Sequence, residues 1–93
     1  MPIGAFAQDS IRGVVYGIME GKTETLGFAA IGWVGEKEVV SADVNGKFVL
    51  PKSRKSNKIF ASYIGFRNDT ILITNQKTIA FKLKEGEIRT KVL

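Results

Sequence analysis

The sequence predicts an all-β domain, a seven-stranded antiparallel β-sandwich, and two observations lead to this prediction. β-Branched and aromatic residues recur in short runs that are separated by clusters of Gly, Asn, Asp, Lys and Ser. No stretch keeps apolar residues at helical spacing for several turns. The chain has 93 residues, of which 44% are hydrophobic and 25% are charged. This is enough for one domain with one core, and it is too apolar for a disordered segment.

Seven segments have the composition and length of strands, and they follow one another at short spacing. They are residues 11–16, 28–34, 38–42, 47–51, 58–64, 69–74 and 78–84. Residues 17–27, rich in Gly, Glu, Lys and Thr, are predicted to form a loop. Asp43 and Gly46 enclose a predicted hairpin turn, because the Asp side chain can accept hydrogen bonds from nearby backbone and Gly tolerates a positive φ.

Alternation of apolar and polar residues assigns one face of each strand to the core. Trp33, Phe48, Phe60 and Phe81 mostly fall at positions that we expect to be buried, which leaves no aromatic platform for nucleic acid. We therefore expect no nucleic-acid partner. The predicted inward set is Ala29, Ile31, Trp33, Phe48, Leu50, Ile71, Ile73, Ile79, Phe81 and Leu83.

The chain has neither histidine nor cysteine. This excludes disulfides, thiolate metal sites, a cysteine nucleophile and the commonest general base. Glu36 with Glu38, and Glu85 with Glu87, are the close carboxylate pairs, but no nucleophile motif accompanies them. We expect a non-enzymatic domain with no catalytic residue, no metal and no cofactor.

The net charge of +5 and the pI near 9.7 favour an anionic partner. Lys52, Arg54, Lys55 and Lys58 form a basic loop that is the candidate binding site for an acidic protein surface or lipid phosphates. The alternative is a solvated loop that discourages aggregation through strand edges. Among the aromatic residues, Tyr16 is predicted to be the exposed one, and it could stack on a sugar ring.

The chain divides into three predicted regions. Residues 1–7 are uncharged and end in Ala5-Phe6-Ala7, the small-x-small pattern of a signal-peptide cleavage site, so they are predicted to be a residual cleavage region. Residues 8–86 form the domain, and residues 87–93 form a C-terminal tail. No apolar run approaches the roughly 20 residues of a membrane helix, so no membrane span is predicted.

Four segments resemble, in order, the motifs of the carboxypeptidase regulatory-like domain. Residues 11–15 (IRGVV) match I-x-G-x-V, and residues 42–50 (ADVNGKFVL) match T-D-x-x-G-x-F-x-L except at Ala42. Residues 61–66 (ASYIGF) resemble V-S-Y-I-G-Y, and residues 83–85 supply the closing L-K-E. The resemblance covers residues 11–84, and its larger departure is the basic loop at residues 52–58, where a short Pro-Gly turn is usual.

This resemblance implies a transthyretin-like sandwich with an Ig-like Greek key. Such domains extend the N-terminus of SusC-like, TonB-dependent outer-membrane receptors of Bacteroidetes. The chain would then be a periplasmic accessory domain, tethered to the outer membrane through the parent receptor. Its expected partners are the receptor's plug and barrel and proteins of the TonB system, and its tail would lead toward a TonB box. It would support uptake of a nutrient such as a glycan, or signalling, through protein–protein contacts.

Two other functions stay open at this point. One is a carbohydrate-binding module, which exposure of Trp33 and Tyr16 together on one flat face would favour. The other is a structural spacer, which the lack of any saturable partner would favour. Strand composition does not separate these alternatives, because aromatic residues pack well in small sandwiches.

Overall fold

The computed structural model describes residues 10–53 and 55–86, which form eight strands and no helix. The predicted cleavage region at 1–7, Arg54 and the tail at 87–93 lie outside the described residues. Within the described ranges, no helix has the length and apolar character needed to cross a bilayer. The strands are β1 (Ser10–Met19), β2 (Lys22–Thr25), β3 (Ala30–Trp33), β4 (Val39–Ser41), β5 (Lys47–Pro51), β6 (Lys58–Ser62), β7 (Asp69–Leu72) and β8 (Thr78–Lys84).

The first sheet, sheet A, is built around the long strand β1. Along one edge of β1, β5 pairs with its first half and β2 with its second half, both antiparallel. Along the other edge, β8 pairs with β1 in parallel, from Arg12 opposite Thr78 to Ile18 opposite Lys84. The first and last strands of the described chain therefore lie side by side in one sheet.

The second sheet, sheet B, has the order β4-β3-β6-β7, and all of its pairings are antiparallel. The two sheets pack face to face as a β-sandwich, with the core between them. Its buried side chains come from both sheets, and the largest of those fully buried are Phe81, Ile31, Ile59, Leu83 and Val15. The prediction of an all-β fold is confirmed.

The predicted inward face of the strands is largely confirmed. Eight of the ten residues in the predicted set are buried, while Ile71 and Ile73 are partly buried and pack against the core. The rings of Phe48 and Phe81 meet within it at a centroid distance of 6.2 Å. Period-two alternation identified these positions because each strand has one face toward the other sheet.

Two details of the predicted fold are wrong. Residues 17–27 are not all loop, because β1 continues to Met19, and Lys22–Thr25 forms a strand that raises the number from seven to eight. Glu20 and Gly21, with φ of 51° and 81°, make the two-residue turn between these strands. All four residues of β2 are exposed, so no apolar alternation marked it. Nor is the pairing wholly antiparallel, since β8 runs parallel to β1.

The tight turn predicted after β4 is present, but it does not form a hairpin, because β4 belongs to sheet B and β5 to sheet A. One carboxylate oxygen of Asp43 accepts hydrogen bonds from the backbone N–H of Asn45 at 2.8 Å and of Lys47 at 2.9 Å. Gly46 has a φ of 80°, as the turn requires. The backbone N–H of Gly46 also donates to the carbonyl of Asp43 at 2.9 Å. The turn thus sets the position at which β5 begins to pair with β1.

Candidate docking surfaces

The basic loop has cations and carboxylates on the same surface. Lys52, Lys55 and Lys58 are exposed, and Arg54 lies outside the described residues. Ser53 orders the loop, because its Oγ accepts hydrogen bonds from the backbone N–H of Lys55 at 3.0 Å and of Ser56 at 3.1 Å, and donates to the Glu36 carboxylate.

A shallow depression beside this loop shows the mixture of charges. It is lined by Glu36 and Glu38 together with Lys37, Lys52 and Lys55. Carboxylates this close reduce the attraction that the lysines exert on an anion. The loop is therefore a weaker anion site than its composition suggested.

The aromatic residues considered for sugar binding lie apart. Trp33 is only 4% exposed, and its indole Nε1 donates a hydrogen bond of 2.8 Å to the carbonyl of Pro51. Tyr16 is half-buried in the central strand of sheet A, where it pairs with Thr25 on one side and Lys82 on the other. Tyr63 is half-buried beside Phe66. Trp33 and Tyr16 therefore do not form one exposed flat face.

The outer face of sheet B carries several exposed apolar side chains. Ala29, directly before β3, and Ile31 and Trp33 within it are buried in the core, so Ala30 and Gly32 lie on the outside. The register places Ser62 beside Ala30, and places both Val39 and Phe60 beside Gly32. Leu72 lies on the same face opposite Lys58. We call this surface the docking face; its apolar side chains are Phe28, Val39, Phe60, Ile64 and Leu72.

Gly32 allows the middle of this face to be flat. A Cβ atom at position 32 would lie 2.8 Å from Cγ1 of Val39 and 3.0 Å from the ring of Phe60. These contacts are shorter than ordinary carbon–carbon separations. The side chains of Val39 and Phe60 therefore lean over the glycine from both neighbouring strands, and they cover its backbone with apolar surface.

Phe28 and Ile64 extend the docking face beyond the ends of β3 and β6. They line one depression with Ala30, Ser62 and Tyr63. Phe28 is 68% exposed and Ile64 is 92% exposed. Large apolar side chains that stand together on a surface mark interaction sites more often than a single exposed one does.

Phe28 also has an unfavourable backbone conformation. Its φ is 67°, in the left-handed region that bulky residues rarely adopt, and its N–H donates to the carbonyl of Asp43 at 3.2 Å. This conformation costs about 1–2 kcal/mol for an L-residue. Because most of the Phe28 ring is exposed, its packing within the domain offsets little of this cost. An exposed aromatic side chain on a strained backbone is typical of a functional site.

Within residues 10–53 and 55–86, no group of three or more Asp or Glu residues could hold a metal ion. The carboxylate of Glu36, one of the pair noted in the sequence, accepts a hydrogen bond from Ser53.

No protein-family model and no curated protein matches this chain.

Sequence patterns did not identify the docking face, because its residues are far apart in the chain. Phe28 and Ile64 come together only through the register that sets Ala30 opposite Ser62. The one available signal was that Ile64, directly before Gly65, is an apolar residue outside the alternating inward set. An apolar residue next to a turn glycine is common enough that this signal is weak.

Proposed function

We propose that this chain is a non-catalytic docking domain of the carboxypeptidase regulatory-like, transthyretin-like class. It acts in the periplasm as the accessory domain of a TonB-dependent outer-membrane receptor. There it supports uptake of a nutrient, such as a glycan, or signalling, through contacts with other proteins. The parent receptor holds it at the outer membrane.

The observation that carries this proposal is the strained and exposed Phe28 on the docking face. Phe28 is held in a left-handed conformation that costs free energy, and the neighbouring Ile64 is almost fully exposed. Two such apolar side chains on one surface favour binding to another apolar surface. The partner of the docking face is the rest of the receptor, its plug and barrel. The motifs at residues 11–15, 42–50 and 61–66 support this choice of partner by their resemblance to receptor extensions.

The sandwich also supports a mechanical role. Sheets A and B share one core, and the Trp33 to Pro51 hydrogen bond joins them at one side. A rigid body with a preformed apolar face loses little conformational entropy when it docks. Such a domain can transmit force or position between the parts of a receptor without unfolding.

Capture of an identified partner tests the proposal. The tagged 93-residue chain is incubated with solubilised outer membranes from a Bacteroidetes species, and bound proteins are identified by mass spectrometry. We expect the wild-type chain to capture a TonB-dependent receptor or TonB-system protein, and the Phe28→Gly/Ile64→Ser variant to lose it. A Lys52→Ser/Lys55→Ser variant is the matched control and should retain it.

Three outcomes would contradict the proposal. The first is that the wild-type chain captures neither kind of protein, and the second is that both variants capture them equally. The third is saturable binding to a glycan array in the absence of any protein partner, which would favour the carbohydrate-binding alternative. Circular dichroism and a thermal melt of each variant show that the comparison is between folded domains.

A further inference from the structure

The free edges of β5 and β8 in sheet A differ in whether they can accept another strand. On the β5 edge, the backbone N–H and C=O of Lys47 are both bonded to Asp43. At the other end of β5, Pro51 has no N–H, and its carbonyl accepts the Trp33 indole. Among residues 10–53 and 55–86, only Val49, in the middle of β5, has an outward N–H and C=O with no backbone partner. This edge is closed to an added strand.

The β8 edge is open over three residues. The carbonyl of Lys77 accepts a bond from Arg12 of β1, while the carbonyl of Lys84 accepts one from Arg67 on the opposite side. Backbone groups alternate in direction along a strand, so Thr78, Ala80 and Lys82 direct theirs to the same side as Lys84. Within residues 10–53 and 55–86, those three residues have no hydrogen-bond partner on this side.

The outer face of sheet A beside this edge is basic. The register with β1 places Thr78 beside Arg12, Lys82 beside Tyr16, and Lys84 beside Ile18. Lys47 lies across from Val14 on the same face. None of the strand residues that the register assigns to this face is acidic. They are Ser10, Arg12, Val14, Tyr16, Ile18, Thr23, Thr25, Lys47, Val49, Pro51, Thr78, Ala80, Lys82 and Lys84.

We infer that the β8 edge binds an extended acidic segment of a partner protein by strand addition. The segment bonds to the free backbone groups of Thr78, Ala80 and Lys82. Its alternate carboxylate side chains then lie on the outer face beside Lys82 and Lys84, as opposite charges do in cross-strand pairs. Arg67 and Asp69 line a depression with the same two lysines, so the far end of the segment meets mixed charge. This surface lies on a different sheet from the docking face.

Charge complementarity selects this occupant. A neutral strand would gain the backbone bonds alone, and a basic strand would meet Lys82 and Lys84 as like charges. A membrane or another polyanion would bind through the charges of Lys82 and Lys84 and would form no hydrogen bonds with the backbone of β8. The experiment therefore separates backbone pairing from charge.

The probe is a fluorescent synthetic peptide in which Glu alternates with Val and Thr, titrated against the 93-residue chain by anisotropy. Three comparison ligands are the same peptide with Lys in place of Glu, the acidic peptide N-methylated at alternate residues, and vesicles of phosphatidylglycerol with phosphatidylcholine. We expect the acidic peptide to bind and the Lys and N-methylated peptides to bind at least about tenfold more weakly. In hydrogen exchange followed by NMR, the amides of Ala80 and Lys82 should become protected when the acidic peptide binds.

The matched variants are Lys82→Glu/Lys84→Glu and Lys55→Glu/Lys58→Glu, which make the same change in net charge. The first should weaken binding of the acidic peptide about tenfold, and the second should leave it within about twofold. The inference is overturned if the N-methylated peptide binds as well as the parent, if both variants weaken binding equally, or if the vesicles bind while the peptide does not. It is also overturned if the Ala80 and Lys82 amides exchange at unchanged rates.

Discussion

The indole Nε1 of Trp33 in sheet B donates a hydrogen bond of 2.8 Å to the carbonyl oxygen of Pro51 in sheet A. It joins the two sheets where β5 ends, and it occupies a carbonyl that would otherwise lie on the free edge of β5. The same side chain is buried in the core. Trp33 therefore stabilises the sandwich and helps to close one edge of sheet A.

Trp33→Phe removes this hydrogen bond and part of the buried volume while it keeps an aromatic ring. We expect the free energy of unfolding to fall by about 2 kcal/mol, because the Pro51 carbonyl loses its partner and the smaller ring leaves a void. Urea denaturation measures the change. A loss below about 0.5 kcal/mol would show that the bond contributes little to stability.

Asp43→Ala removes the acceptor of two backbone hydrogen bonds in the turn before β5. We expect a loss of about 1–2 kcal/mol in the free energy of unfolding. Asp43→Asn keeps a side-chain oxygen at the same position and should lose less than half as much. Equal losses in the two variants would mean that the carboxylate charge, and not the hydrogen-bond geometry, stabilises the turn.

Gly46 and Gly21 form a matched pair for testing steric contact in a turn. Both have a positive φ, 80° and 81°, but a Cβ at Gly46 would lie 2.8 Å from the Val15 carbonyl oxygen, while one at Gly21 would meet nothing within 4 Å. Gly21→Ala should cost about 1 kcal/mol for the conformation alone. Gly46→Ala should cost about 3 kcal/mol, because the backbone must also shift. Chemical denaturation measures both losses in the free energy of unfolding. Similar losses in the two variants would contradict the close approach of β1 to this turn.

Phe28→Gly should leave the domain at least as stable as the wild type. Glycine relieves the left-handed strain of about 1–2 kcal/mol and loses about 0.5–1 kcal/mol through its more flexible unfolded chain. We expect a net gain of about 0.5 kcal/mol in thermal or urea denaturation. Phe28→Ala removes the ring but keeps the strain, so its stability should stay near that of the wild type. A loss above about 1 kcal/mol in Phe28→Gly would show that the ring serves the fold.

Much of the fold was predictable from the sequence, because strands in a sandwich have one buried face. Alternation identified Phe48, Leu50, Phe81 and Leu83 as core residues, and the Asp43 turn followed from local side-chain chemistry. β2 was not predictable in the same way, because its residues are all exposed and it depends on hydrogen bonds to β1. The parallel pairing of β1 with β8 joins distant segments, and no local pattern encodes it.

The candidate surfaces were less predictable than the core. The basic loop is visible as a run of residues, but the carboxylate of Glu36 beside Ser53 comes from a different segment. The docking face depends on the register between β3 and β6, and the left-handed φ of Phe28 has no signature in its own residue type. Surfaces are assembled by tertiary pairing, so their residues are scattered in the sequence.

Site-specific photo-crosslinking tests the docking face most directly. A photoreactive benzoylphenylalanine replaces Ile64 on that face, or Thr23 on the outer face of sheet A as the matched exposed control. Both chains are irradiated with solubilised outer membranes, and the adducts are identified by mass spectrometry. We predict an adduct between position 64 and the plug or barrel of a TonB-dependent receptor, and none at position 23. Equal adducts at both positions, or no receptor adduct at position 64, would contradict the proposed docking function.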